Sequence, residues 1–203
     1  LSEWNPHFKR RDVFTTIMNW TSHKDVVYDN KTYGQKDVEF KRFIKLPGRV
    51  APIVLEIAVN LGKTRRTPYD RLLNNGWRVV NPDKACNDLD SYRSYIESSK
   101  AEWSVAKNGY VLGKPGWFSC RSACYLASGR PVVVQDTGFS SVLPVGEGIL
   151  AFKTFEESAN AILEVETNYE KHVIAAREIA EEYFNSDKVL NNLIETAGGY
   201  SVS

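Results

Sequence analysis

Long apolar runs are missing from this sequence. No stretch approaches the ~20 residues that a helix needs to span a bilayer. The opening segment, Leu1–Arg11, is polar and charged, unlike a secretory leader. An excess of charge is missing too. Twenty-six Lys and Arg face 25 Asp and Glu, a net charge of +1, so there is no global pull towards nucleic acid or an anionic membrane. Cysteine is scarce: Cys86, Cys120 and Cys124 are odd in number and unevenly spread. No disulfide framework is expected from them, and a reducing, cytoplasmic setting is. No GxGxxG and no GxxxxGK(S/T) occurs, which removes the usual nicotinamide and nucleoside-triphosphate fingerprints. No HxE, HExxH or DxD cluster is read as a metal site, and neither a metal nor a cofactor is expected. Internal repeats and low-complexity tracts are absent as well. The chain does not begin with Met, and we expect a piece of something longer.

What is present is the material of a packed domain. Of 203 residues, 42% are hydrophobic and 25% charged, enough for one core with an appended arm. Six short, apolar runs recur: Val13–Trp20, Pro52–Val59, Trp77–Asn81, Glu102–Lys107, Pro131–Gln135 and Gly148–Phe152. Helical spacing fills most of the gaps. Thr67-Pro68 reads as an N-cap and first helical position, and Asn75-Gly76 as the matching stop. Leu89, Tyr92 and Ile96 recur at helical intervals in Asp88–Lys100, and Gly129 ends a helix over Cys120–Ser128. Strands alternating with helices predict an α/β fold. Val132-Val133-Val134 is a continuous apolar run, as a strand covered on both faces requires. The expected architecture is a doubly wound, Rossmann-like parallel sheet of about six strands over residues 1–154. Residues 155–203 read as long carboxyl-terminal helices, with a break near Asn168–Glu170, a cap at Ser186-Asp187 and a stop at Gly198-Gly199 before a frayed tail.

In such a sheet ligands bind beyond the carboxyl ends of the strands, where strand order reverses. The residues just after each strand are therefore the candidates. After the first come Trp20, Ser22 and, further on, Gln35-Lys36 at a helix start, where free N–H groups and Lys36 suit an anion. After the third come Asn81-Pro82. After the fourth, Lys107 leads into a Gly-rich loop through Gly113 and Gly116, then into a helix whose first turn holds Ser119, Arg121 and Ser122. Arg121 is expected to fork onto a phosphate; Trp117 offers a flat face for a sugar or base. Thr137-Gly138 follow the fifth strand. Cys120 and Cys124 read as small core residues, and His23 and His172 as a loop and a solvated helix residue.

The stretch Gly116–Phe139, GWFSCRSACYLASGRPVVVQDTGF, carries a resemblance. Its Ala-x-Gly-x-Pro-Val-Val core, followed by Asp-x-Gly, resembles the carboxyl-terminal, donor-binding domain of bacterial GT-B glycosyltransferases. The resemblance runs over roughly Val13 to Ala197. It implies a nucleotide-diphosphate sugar as donor substrate and a separate amino-terminal domain that binds the acceptor. It further implies that Trp117-Phe118-Ser119 meet the donor sugar through backbone amides, Gln35-Lys36 face the diphosphate, and Asn81-Pro82 lie near the base. One departure stands out. Many members carry two Glu residues eight apart, and here those positions fall at Gly116 and Cys124. No catalytic carboxylate transfers, so the catalytic residue is unknown and any general base is expected from the other domain. The candidate binding set is Trp20, Ser22, Gln35, Lys36, Asn81, Lys107, Gly116, Trp117, Phe118, Ser119, Arg121, Ser122, Thr137 and Gly138. A sugar-nucleotide epimerase on the same architecture and a non-enzymatic nucleotide- or partner-binding module are the alternatives.

Overall fold

The computed structural model describes residues 1 and 3–198; the Gly199 stop and the frayed tail lie outside them. Six strands pair in parallel: β1 (Val13–Met18), β4 (Val54–Val59), β5 (Arg78–Val80), β6 (Ala101–Ser104), β7 (Val132–Gln135) and β8 (Ile149–Phe152). Their order is β5-β4-β1-β6-β7-β8, the doubly wound order, with β1 at its centre. All six expected strands are present. The helices are α1 (Lys36–Phe40), α2 (Leu46–Val50), α3 (Tyr69–Asn74), α4 (Pro82–Ala85), α5 (Leu89–Glu97), α6 (Asn108–Gly113), α7 (Cys120–Ala127), α8 (Phe155–Thr167), α9 (Tyr169–Tyr183) and α10 (Ser186–Gly198).

Alternation along the strands divides the core in two. Phe14, Met18, Leu55, Ile57, Trp103 and Val133 point to one face, which α1, α2, α3 and α8 cover through Phe40, Leu46, Leu72 and Ile162. Val132, Val134 and Ile149 point to the other, covered by α5, α7 and α9 through Ile96, Leu126 and Ile179. The first face is held by aromatic rings. Trp20, Phe40, Phe43, Trp77, Trp103 and Phe152 form a chain with centroids 4.8–5.9 Å apart. Each buried indole whose N–H would otherwise be stranded finds an acceptor: Trp77 donates to the Ile44 carbonyl at 2.8 Å and Trp103 to Ser158 Oγ at 2.7 Å.

Local signals mostly hold, with several corrections; His172, expected to be solvated, is buried, and Cys120, expected in the core, is exposed. Gly76 ends α3 at φ +86°, where a side chain would be strained. The Thr154-Glu157 capping box starts α8, and Asn168 separates α8 from α9. Thr67, however, does not cap α3. Pro68 is the cap residue, and the Thr67 hydroxyl bonds the Asn60 carbonyl instead. The expected loop after Lys107 is a short helix, α6, ending at Lys114 in the left-handed region (φ +47°). Finally, an antiparallel hairpin, β2 (Val26–Tyr28) and β3 (Lys31–Tyr33), turns at Asp29-Asn30, both at positive φ. It is absent from the sequence reading because its apolar residues are exposed and belong to no core.

Because Trp103 sits in the middle of the ring chain at 1% exposure, Trp103→Ala is expected to destabilise the chain by about 3–5 kcal/mol. The midpoint of urea unfolding measures it.

Candidate functional site

The chain leaves β1 towards β4 and leaves β6 towards β7, so a crevice opens over the carboxyl ends of β1 and β6. A cavity of about 440 Å³ lies there. Of the predicted residues, Ser22, Gln35, Lys36, Lys107, Trp117, Phe118, Ser119, Arg121 and Ser122 line it. Asn81 lines an adjoining cavity over β4 and β5 that shares Asn60 and Pro82 with the first. Its side chain is spent capping α4, accepting from Asp83 N at 2.9 Å. Trp20 is not at the site; at 1% exposure it belongs to the aromatic core. Gly116, Thr137 and Gly138 sit behind the lining and shape it.

Polar clamps fix the loops that form the walls. Arg65, after β4, forks onto both Asp25 and Asp37 with four contacts of 2.5–2.9 Å, tying the hairpin approach to the start of α1. The fully buried Glu39 accepts from Asn108, Gln135 and Arg42 at 2.6–2.7 Å, so α1, α6 and β7 share one carboxylate. Gly34 donates to Asn108 Oδ1 at 3.0 Å, and an added Cβ there would lie 2.8 Å from Val38. Thr137 locks the opposite wall: its carbonyl accepts Gly116 N at 2.9 Å and its hydroxyl donates to the Trp117 carbonyl at 2.6 Å.

Three cations line the crevice: Lys107, whose Nζ lies 3.2 Å from His23 Nε2, and Arg121 and Lys36, which differ in kind. Arg121 reaches from α7 beneath the floor and donates to Glu102 Oε1 (2.7 Å), the Ile17 carbonyl (2.7 Å) and Ser104 Oγ (2.8 Å). Its fork is thus engaged by β1 and β6, and the expected bidentate phosphate contact is not preformed. Lys36, in the first turn of α1, makes no ion pair or side-chain hydrogen bond among the described residues. Burial, reinforced by the neighbouring Arg121 guanidinium, pushes its pKa well below the usual lysine range. The five-residue α1 runs into a 3-10 turn, Lys41–Phe43, so its dipole adds little. Donors come instead from the other side. The backbone N–H groups of Trp117, Phe118 and Ser119 lead into α7 with no partner among the described residues, and Ser119 does not cap the helix.

Pro82, expected near the base, also lines the cavity, whereas the candidate set left out Asn19, Asn60, Tyr110, Gln135 and Phe139. Asn60 follows the second strand, so the strand-end rule itself points to it. Tyr110 was hidden by reading α6 as a loop. Asp88-Leu89-Asp90 has a spacing known from metal sites, but Asp88 caps α5 by accepting from Ser91 N at 2.7 Å. Among the described residues no group of three or more His, Cys, Asp or Glu could hold a metal ion, and no helix is long and apolar enough to cross a membrane.

A doubly wound sheet with an amide- and lysine-lined crevice at its switch point defines a Rossmann-like α/β domain. No family model and no curated protein sequence matches the chain. Solved structures of glycosyltransferases do share its fold. TarM aligns over 95% of this chain and 36% of its own, with TM-score 0.61 and 12% identity. Anabaena Alr3699/HepE in complex with UDP-glucose aligns over 93% and 49%, with TM-score 0.55 and 13% identity. The GtfA/B complex aligns over 88% and 34%, with TM-score 0.51 and 12% identity. The chain therefore spans between a third and a half of the length of these proteins.

Keeping Lys36 charged in the folded state costs stability. Its folded pKa is lowered, so the penalty is full below that pKa and fades as pH rises towards the unfolded value of about 10.4. Lys36→Met is accordingly expected to raise the melting temperature at neutral pH, with a gain that shrinks as pH approaches 10. Thermal unfolding of both proteins across that range reads it out.

Proposed function

We propose that this chain is the donor-binding part of a GT-B glycosyltransferase and holds a nucleotide-diphosphate sugar across the switch-point crevice. The observation that carries this reading is Lys36, a partly buried cation without an ion pair among the described residues, in a preformed cavity also lined by Trp117, Phe118 and Ser119, whose backbone amides are unpartnered among the described residues. A charge penalised by its surroundings in a cleft is a sign of a ligand that compensates it. The fold shared with HepE, crystallised with UDP-glucose, supports the ligand class.

Strand order supports one pose. The nucleoside lies over β5 and β4, beside Asn81 and Pro82. The diphosphate lies over β1, where Lys36 meets it, and the sugar over β6, at the amides of Trp117–Ser119. Fixed donors at a leaving diphosphate lower the barrier to transfer. In this reading residues 1–154 form the nucleotide-sugar domain, residues 155–203 are its carboxyl-terminal helices, and an amino-terminal domain elsewhere in the protein binds the acceptor from across the crevice and supplies any general base. Three free thiols, Cys86, Cys120 and Cys124, suit the cytoplasm.

Titration calorimetry with UDP, GDP, ADP, CDP and dTDP tests the proposal. One of them is expected to bind, and Lys36→Met to weaken it by roughly 10–100-fold, as loss of a charge-assisted contact worth about 1.5–3 kcal/mol implies. Silence across all five diphosphates would sink it.

A further inference from the structure

Trp117 stands apart from the other indoles. Trp20, Trp77 and Trp103 are at most 2% exposed and Trp4 is partly buried against the second core cluster, whereas Trp117 is 47% exposed in the cavity lining. Its posture is built. Thr137 pins its backbone on both sides, and Tyr110 backs its ring at 5.2 Å between centroids and 31° between planes. Lys107 Nζ sits 5.8 Å from the Tyr110 centroid and 3.2 Å from His23 Nε2, which extends the support along the wall. A large apolar ring held rigid and half open beside a site is an anchor awaiting a flat partner.

Position says what the partner is. Three strand steps separate the end of β5 from the end of β6, about 14 Å at the usual spacing, so the nucleoside end of the proposed ligand is far from Trp117. Trp117, Phe118 and Ser119 all line the cavity, and in the donor reading their unpartnered amides serve the donor sugar; the indole, 47% exposed, keeps a face open to solvent. We propose that the Trp117 indole, backed by Tyr110, is a stacking platform for a sugar ring of the acceptor, which makes the acceptor a carbohydrate. The proposal rests on the donor-binding reading above for its orientation.

The readout is the accessibility of Trp117 in the 203-residue chain, by acrylamide quenching and emission maximum. The probes are maltose, cellobiose, lactose and chitobiose, each with and without the nucleoside diphosphate that binds. At least one disaccharide is expected to shield Trp117 and shift its emission to the blue, and to do so with the diphosphate bound. Trp117→Ala should lower saccharide affinity roughly tenfold or more while leaving diphosphate affinity unchanged, and Trp117→Phe should restore part of it. Shielding by nucleotide sugars alone, with all four disaccharides inert, overturns the proposal and gives the ring to the donor. Equal losses of saccharide and diphosphate affinity in Trp117→Ala overturn it as well. If no diphosphate binds but a disaccharide still shields Trp117, the donor reading fails and the platform stands.

Discussion

The Arg121–Glu102 pair is the joint on which the site depends. Strands whose connections diverge open a crevice beyond the carboxyl ends of the paired β1 and β6, and something must close its floor. Arg121 does so from α7, bonding a β1 carbonyl and two β6 side chains at once. The arrangement is costly: Glu102 is fully buried and its second oxygen, Oε2, has no partner. Buried pairs of this kind rarely add net stability, but breaking one strands a charge. The pair thereby holds α7, and with it the amides of Trp117–Ser119, in one register against the central strands.

Charge is distributed around the crevice by the same logic. Buried carboxylates are each assigned a task in wall-building: Asp37 with Arg65, and Glu39 with Asn108, Gln135 and Arg42. These clamps consume nearly every strong donor near the cavity except Lys36 and the loop amides. What remains open is positive in character, even though the chain as a whole carries only +1. Local electrostatics, created by pairing most of the charges around the crevice, therefore favour the anionic ligand of the proposed reading where global charge is silent.

Stability is placed away from this edge. The aromatic chain from Trp20 to Phe152 fills one face of the sheet, and α8 and α9 seal both faces beneath it. Gly148 shows how tight that seal is: an added Cβ would meet the α9 backbone at Ala176 within 2.6 Å. α10, by contrast, buries none of its residues against the domain, and its apolar side chains, Leu193 and Ile194 among them, remain exposed.

Much of this was legible in the chain itself. Strand positions follow from short apolar, β-branched runs, and the parallel sheet from their alternation with helices, because burial on both faces demands that pattern. The strand-end rule brought nine of its fourteen candidates to the cavity, Lys36 and Trp117 included, because chain direction alone brings those positions to one edge. Three things were decided only by the tertiary structure. Trp20 turned inward to complete the ring chain, since an indole gains more from Phe40 than from a wet crevice. Arg121 was claimed by Glu102, Ser104 and a β1 carbonyl, partners up to 104 positions away in sequence. And Tyr110, invisible in a stretch that read as loop, came to back Trp117 because α6 folded. The sequence by itself determines which residues reach the site's edge, since local propensity and hydrophobic period are short-range properties. Which of them face a ligand is settled by competition among partners far apart in the chain, and that only packing resolves.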